Sequence, residues 1–247
     1  MSQIKSVFRC ENQYKLKFSQ SSCLLTISVG QETHEKERFS PTIDLIGRSF
    51  SACTIALHDS LQRHTIALDR EGSADDYYDT AIAMGDLWLE RNKQYLDAQN
   101  IPVTIIRWDE WFKDVEFQKY KEKVINELNC DESYRAEFNR TISEYLTRCC
   151  KRHPNPEQFD RKRAEQLCLD YLIEECAVLC MWPKTGCQFE AYTGKHNAAM
   201  NETQKRFLTS ETIQSIAIGF NRRPNLKPQN FNFHKNEESV QKASSVE

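Results

Sequence analysis

"CLLTISVG", residues 23–30, reads as a buried strand that closes on Ser28 and Gly30. Its apolar character is nearly unbroken, which suits a strand covered on both faces and hence a parallel sheet. Four further runs share that character: "ACTIALHD" (52–59), "IPVTIIRW" (101–108), "CQFEAY" (187–192) and "QSIAIGF" (214–220). A weaker alternating pair, "SVFRC" (6–10) and "YKLKF" (14–18), predicts an edge hairpin ahead of the first run.

Helical segments lie between these runs. "PTIDLIGRSF" (41–50) follows Ser40 and places Pro41 at the first helical position. Residues 73–99 open with Ser73 as a cap and acids in the first turn, and stretches 111–128, 131–152 and 155–182 continue the helical pattern. The alternation predicts an α/β fold, a Rossmann-like doubly wound parallel sheet of about five strands with helical layers. Three consecutive helical stretches between the third and fourth strands predict an added helical layer. From about Asn221 the chain turns polar and proline-containing, so 1–224 is expected to form one domain and 225–247 an extended or disordered tail.

With 247 residues, 39% hydrophobic and 28% charged, the chain can bury a sizeable core. No run approaches the roughly 18–20 apolar residues of a spanning helix, and the start lacks a secretory-type stretch. A cytoplasmic protein without a membrane partner is expected. The ten cysteines do not form CxxC pairs and sit mostly in apolar runs, which favours free thiols over zinc or disulfides. The formal net charge of −3 gives no global field for nucleic acid, so such a partner would need a local patch.

In open α/β sheets, ligands sit beyond the carboxyl ends of the strands, where Ser28 and Gly30 fall. Gly30 could serve the turn alone. GxGxxG, GxxxxGK[ST] and GxSxG are all absent, which disfavours dinucleotide, P-loop and α/β-hydrolase sites. In "DYLIEECAVL" (170–179) Tyr171 and Glu175 are four apart and share a helix face that Val178 and Leu179 continue. A carboxylate on an apolar face needs a partner, often a substrate cation; the alternative is a solvated helix pair. Tyr192 ends the fourth run on the same rim as Ser28, for ligand contact or for packing. His58, Asp59 and His64 resemble a metal cluster only loosely. Basic residues gather at Lys151, Arg152, Arg161, Lys162 and Arg163, at Arg91 and Lys93, and at Arg222, Arg223 and Lys227. They could meet a phosphate backbone or simply form solvated faces.

"LLTISVG", "TIALHDSLQRHTIA" and "DYLIEECAVL", in this order and spacing, resemble the tRNA-dependent cyclodipeptide synthases from about Tyr14 to Pro224. The resemblance implies a fold like the catalytic domain of class I aminoacyl-tRNA synthetases of the tyrosine and tryptophan type, without their ATP signatures. It implies two aminoacyl-tRNAs as substrates, a cyclic dipeptide as product and no ATP or metal; a monomer is the simplest expectation. Carried over by position, Ser28 is the nucleophile, Glu175 holds the substrate ammonium beside Tyr171, and Tyr192 bonds the substrate and relays a proton. The first amino-acid pocket falls to Leu24, Thr26, Ala56, Val178 and Leu179. Thr26 stands where many members have Gly, so a small or medium side chain is expected.

Gly30, Gln31 and Thr193 join the substrate contacts by the same carry-over. Gln31 replaces the Asn of one branch, and Thr193 replaces a His or Pro. With few basic residues on helix 73–99, the 151–163 region is the expected tRNA contact. Two other functions fit the residues alone: a non-catalytic tRNA- or aminoacyl-binding module, and a small serine esterase.

Overall fold

The computed structural model describes residues 4–152, 159–208 and 213–221. Its strands are β1 (Lys5–Arg9), β2 (Ser22–Ser28), β3 (Ala52–His58), β4 (Val103–Arg107), β5 (Phe189–Thr193) and β6 (Gln214–Asn221). Its helices are α1 (Asn12–Lys15), α2 (Lys36–Ser49), α3 (Arg63–Asp69), α4 (Ala74–Asp97) and α5 (Trp108–Phe112). Then follow α6 (Val115–Cys130), α7 (Glu132–Arg152), α8 (Arg161–Leu179) and α9 (Ala198–Phe207). The tail expected at 225–247 lies outside the described residues.

All six strands form one sheet in the order β1-β6-β5-β2-β3-β4. The five from β2 to β6 run parallel, and only β1 is antiparallel, against β6. From β2 the chain moves outward to β3 and β4, then returns to lay β5 and β6 on the other side. The order therefore reverses beside β2, and the β2–β5 crevice is the switch point at which such sheets hold ligands.

Strand alternation sorts the core into two layers. Cys23, Leu25 and Ile27 face α2 and α4, where they join Ile43, Ile46 and Trp88. Leu24 and Ala56 face the opposite layer and join Val178 and Leu179 of α8 with Phe138 of α7. The added helical layer expected between the third and fourth strands is this second side, built by α6, α7 and α8.

Three sequence expectations need correction. "SVFRC" does form a strand, but it pairs with β6 and not with "YKLKF". Residues 14–18 carry only two rings that need burial, and Leu16 is 84% exposed. A helical turn followed by a 3-10 turn (Phe18–Gln20) delivers Phe18 against Phe8, Phe50 and Phe189.

Helix α2 begins five residues before Pro41, which sits inside it. Phe39, Ile43 and Ile46 form a fully buried stripe at helical spacing, with Phe39 packed on Trp88 at 4.8 Å. That burial carries the helix through a residue unable to donate to the preceding turn. The helix expected over 111–128 is broken before Val115, where the Asp114 carboxylate caps the Glu116 amide and starts α6.

The Ser73 cap of α4 is present as a reciprocal capping box with Asp76. Gly85 lets this helix approach the β3 end: a methyl group there would lie 2.7 Å from the Asp59 Cβ. All ten cysteines are free thiols, and six are buried. Among the described residues no helix is long and apolar enough to cross a membrane.

Candidate active site

Ser28 is the last residue of β2 and shares its sheet face with Leu24 and Thr26 by the two-residue pleat. Beyond it the chain must turn sharply, and Gly30 does so with φ of 84°, a region that side chains disfavour. The Gln31 amide then donates to the Ser28 carbonyl at 3.2 Å. His34 folds back beneath the turn, and its Nδ1 accepts from the Ser28 amide at 2.7 Å. The His34 carbonyl in turn accepts from the Trp88 indole at 2.9 Å. Burial pushes the His34 pKa down to about 4, so the ring stays neutral with its proton on Nε2.

β5 pairs directly with β2, Leu24 standing opposite Glu190 and Leu25 opposite Ala191. Tyr192 therefore rises on the Ser28 face, its ring 5.4 Å from that of His34. Burial, then the Glu175 carboxylate, raise the Tyr192 pKa to about 12, while an interaction with the Ser28 hydroxyl pulls the other way. Thr193, next along, falls by alternation on the opposite face, in register with Ile218. Its side chain does not join the group.

Helix α8 covers this face. Glu175 is only 6% exposed, which excludes the solvated-pair reading. Its Oε1 accepts from the Tyr171 phenol at 3.4 Å and its Oε2 from Asn197 Nδ2 at 3.2 Å. Burial raises its pKa to about 7, against the pull of Asn197, His196 and Tyr171. Burial also lifts the Tyr171 phenol well above its ordinary value. The four candidate catalytic residues thus lie together: Ser28 touches Tyr192, whose phenol feels Glu175, which bonds Tyr171. Leu24, Ala56, Val178 and Leu179 pack fully buried in the core layer beneath them. Such a group can hold an ammonium beside a hydroxyl out of water.

Several residues in the site were not singled out as its members. Glu190 is fully buried, and its Oε1 accepts from Thr26 Oγ1 at 3.0 Å and lies 3.2 Å from His196 Nε2. A lone carboxylate inside the apolar run "CQFEAY" was the readable signal, since buried charge demands a partner. Burial works against charge on His196, yet Glu190 outweighs it and the His196 pKa ends above its ordinary value. Asn197 caps α9 by accepting from the Met200 amide at 2.9 Å. Neither His196 nor Asn197 carried such a signal.

The loose cluster of His58, Asp59 and His64 disperses. His58 stands in register with Ser28 and packs on Trp108 at 4.4 Å, its pKa lowered to about 3 by burial and by His34 and His196. Asp59 accepts from the Ser60 and Trp108 amides and pairs with Arg107. His64 pairs with Glu174, which also binds Arg63. Among the described residues no group of three or more His, Cys, Asp or Glu side chains could hold a metal ion.

The basic candidates are scattered. Arg91 pairs with Glu35, Lys93 with Asp97 and Arg161 with Glu165. Arg163 donates to the Ala67 carbonyl at 3.1 Å, a bond that ties α8 to α3. Lys151 and Lys162 are exposed. The Arg152 side chain and Arg222, Arg223 and Lys227 lie outside the description.

No family model matches the chain, and no curated protein does. Among solved structures, a CDPS from Fluoribacter dumoffii is 36% identical with a TM-score of 0.85, covering 89% of this chain and 100% of that one. A cyclodipeptide synthase from Candidatus Glomeribacter gigasporarum bound to Phe-tRNAPhe has 20% identity and a TM-score of 0.67, over 85% and 91%. A Mycobacterium tuberculosis protein, described as demonstrating that cyclodipeptide synthetases are related to type I tRNA synthetases, has 11% identity and a TM-score of 0.62, over 90% and 94%. The last two likenesses show a shared fold.

Proposed function

The chain belongs to the cyclodipeptide synthases, tRNA-dependent aminoacyltransferases, and on that premise we propose that Ser28 carries first an aminoacyl and then a dipeptidyl ester on the way to a 2,5-diketopiperazine. One observation supports this reading above the others. The Ser28 hydroxyl, the Tyr192 phenol and the Glu175 carboxylate converge on one buried sheet face at the topological switch point.

In the first transfer, Ser28 Oγ attacks the ester carbonyl of an aminoacyl-tRNA. The new Oγ–C bond replaces the C–O bond to the ribose, and the serine proton leaves with the ribose hydroxyl. Ester exchanges for ester, so the step needs positioning and proton transfer, not ATP or a metal. Glu175 meets the substrate ammonium with a charge-assisted contact, while Tyr171 and Asn197 hold the carboxylate in place.

In the second transfer, the amine on the Ser28 ester must lose a proton before it attacks the next aminoacyl-tRNA carbonyl. A carboxylate with a pKa near 7 suits that task, because it both binds the ammonium and accepts its proton near neutral pH. The free amine of the dipeptidyl ester then closes on the ester carbonyl and releases Ser28, with Tyr192 returning the proton. Two charged tRNAs, a monomer and the cytoplasm, where charged tRNA resides, belong to this proposal. Lys151, Arg152, Arg161 and Lys162 are its tRNA contacts, with Arg91 and Lys93 secondary.

The test is expression in a bacterium with mass spectrometry of the medium. Diketopiperazines that vanish with Ser28→Ala are the expected outcome. Product that persists in that variant overturns the covalent route, and turnover unaffected by RNase returns the esterase reading.

A further inference from the structure

Descending the sheet from Ser28, the next side chain on the same face is Thr26, which reaches diagonally across the β2–β5 crevice to Glu190, the residue opposite Leu24. Both belong to the floor beneath Glu175 and Tyr192. The Thr26 hydroxyl does not stand free, because it donates to Glu190 Oε1. The same oxygen faces His196 Nε2. Glu190 Oε2 is different: it is buried and has no hydrogen-bond partner among the described residues. A carboxylate oxygen left so costs stability unless something else occupies its lone pairs.

We infer that Glu190 Oε2 is the acceptor for the first amino acid's side chain, and that the enzyme selects an aminoacyl-tRNA whose side chain ends in an uncharged hydrogen-bond donor. This rests on the acyl-serine reading of the site. An aminoacyl group esterified to Ser28, with its ammonium at Glu175, occupies the α8 side of the sheet. Its side chain is then directed toward the buried layer of Leu24, Ala56, Val178 and Leu179, where Glu190 stands opposite Leu24 and bonds Thr26. His196 Nε2 already lies 3.2 Å from Glu190 Oε1, and the Glu190 carboxylate raises its pKa toward the charged form. A lysine or arginine side chain would crowd a second positive charge against it, whereas a hydroxyl, amide or imidazole N–H adds a donor without one.

Such a site discriminates by what a mismatched substrate leaves unpaired. An apolar pocket separates substrates by about 100-fold at most per methylene, but a buried hydrogen-bonding group can reject an analogue lacking the donor by roughly 10⁴-fold. Shape-matched pairs expose the difference.

The purified chain is given Tyr- or Phe-tRNA, Gln- or Met-tRNA, and Thr- or Val-tRNA, and the Ser28 ester is counted by intact-protein mass after acid quench. At least one donor-bearing member should acylate more than about 100-fold faster than its match. Glu190→Leu should erase or invert that preference, and Glu190→Gln, which keeps an acceptor, should retain part of it. Equal rates within every pair, or preference for the apolar member, overturn the assignment of Glu190 and leave the serine transfer standing. Failure of every aminoacyl-tRNA to acylate the protein overturns both. The wild-type comparison decides the matter even where a variant does not fold.

Discussion

The amide of Ser28 donates to the Nδ1 of His34 at 2.7 Å, so the turn carrying the candidate nucleophile is clamped by an imidazole that must remain unprotonated. The pH consequence has a definite sign. Above the ordinary value of 6.5 the ring is neutral in folded and unfolded chains alike. Between 6.5 and about 4 only the unfolded chain takes up the proton, so folding stability declines as pH falls. At roughly 1.4 kcal/mol per pH unit the loss reaches about 3 kcal/mol. His58, with a folded value of about 3, adds in the same direction. Glu175 acts oppositely: its folded value of about 7 makes its contribution fade as pH rises from 4.5. Denaturant midpoints from pH 7 to 4 should fall less steeply for His34→Gln than for the wild type. Parallel curves would refute the clamp.

Aminoacyl-enzyme formation should rise with pH through a midpoint near 7, where Glu175 becomes anionic. Tyr171→Phe removes a donor to that carboxylate and should move the midpoint upward, with activity near pH 9 largely retained. A midpoint that stays put in the variant would show that another group sets the profile.

Asn197 serves two masters, the Glu175 carboxylate and the first turn of α9. Asn197→Asp keeps a good cap but sets a second carboxylate against the first. Thermal stability should change by less than about 1 kcal/mol, whereas the pH midpoint of acylation should climb by at least a unit. A fall in melting temperature with an unchanged midpoint would mean the residue matters only as a cap.

Gly85→Ala should destabilise the fold by about 1–3 kcal/mol through overpacking. The added methyl meets the Asp59 side chain at 2.7 Å and the Arg107 guanidinium at 2.9 Å. Chemical denaturation measures the loss directly, and an unchanged midpoint would show that α4 can move outward freely.

What the residues revealed and what they hid differ by physical range. The five parallel strands were legible because each is a short apolar run, and the Ser73 cap because its chemistry is local. Pro41 misled because the Phe39–Ile43–Ile46 stripe, satisfied only by tertiary burial, outweighs the preference of proline for a first turn. "YKLKF" alternates like a strand, yet edge pairing was claimed by a segment more than 190 residues away. Around the site, Ser28, Tyr171, Glu175 and Tyr192 were singled out from strand ends and helix spacing and given roles by resemblance to a family, and the structure gathers them. Thr26 was read as filling a pocket; its partner Glu190 appears only when β5 is laid beside β2.

The strand carrying Ser28 is finished early in synthesis, but its neighbour bearing Glu190 emerges 164 residues after Thr26. Until then one edge of β2 has no mate and the serine lacks Tyr192 beside it. On the proposed mechanism, a chain ended before β5 lacks Tyr192 and should form no diketopiperazine.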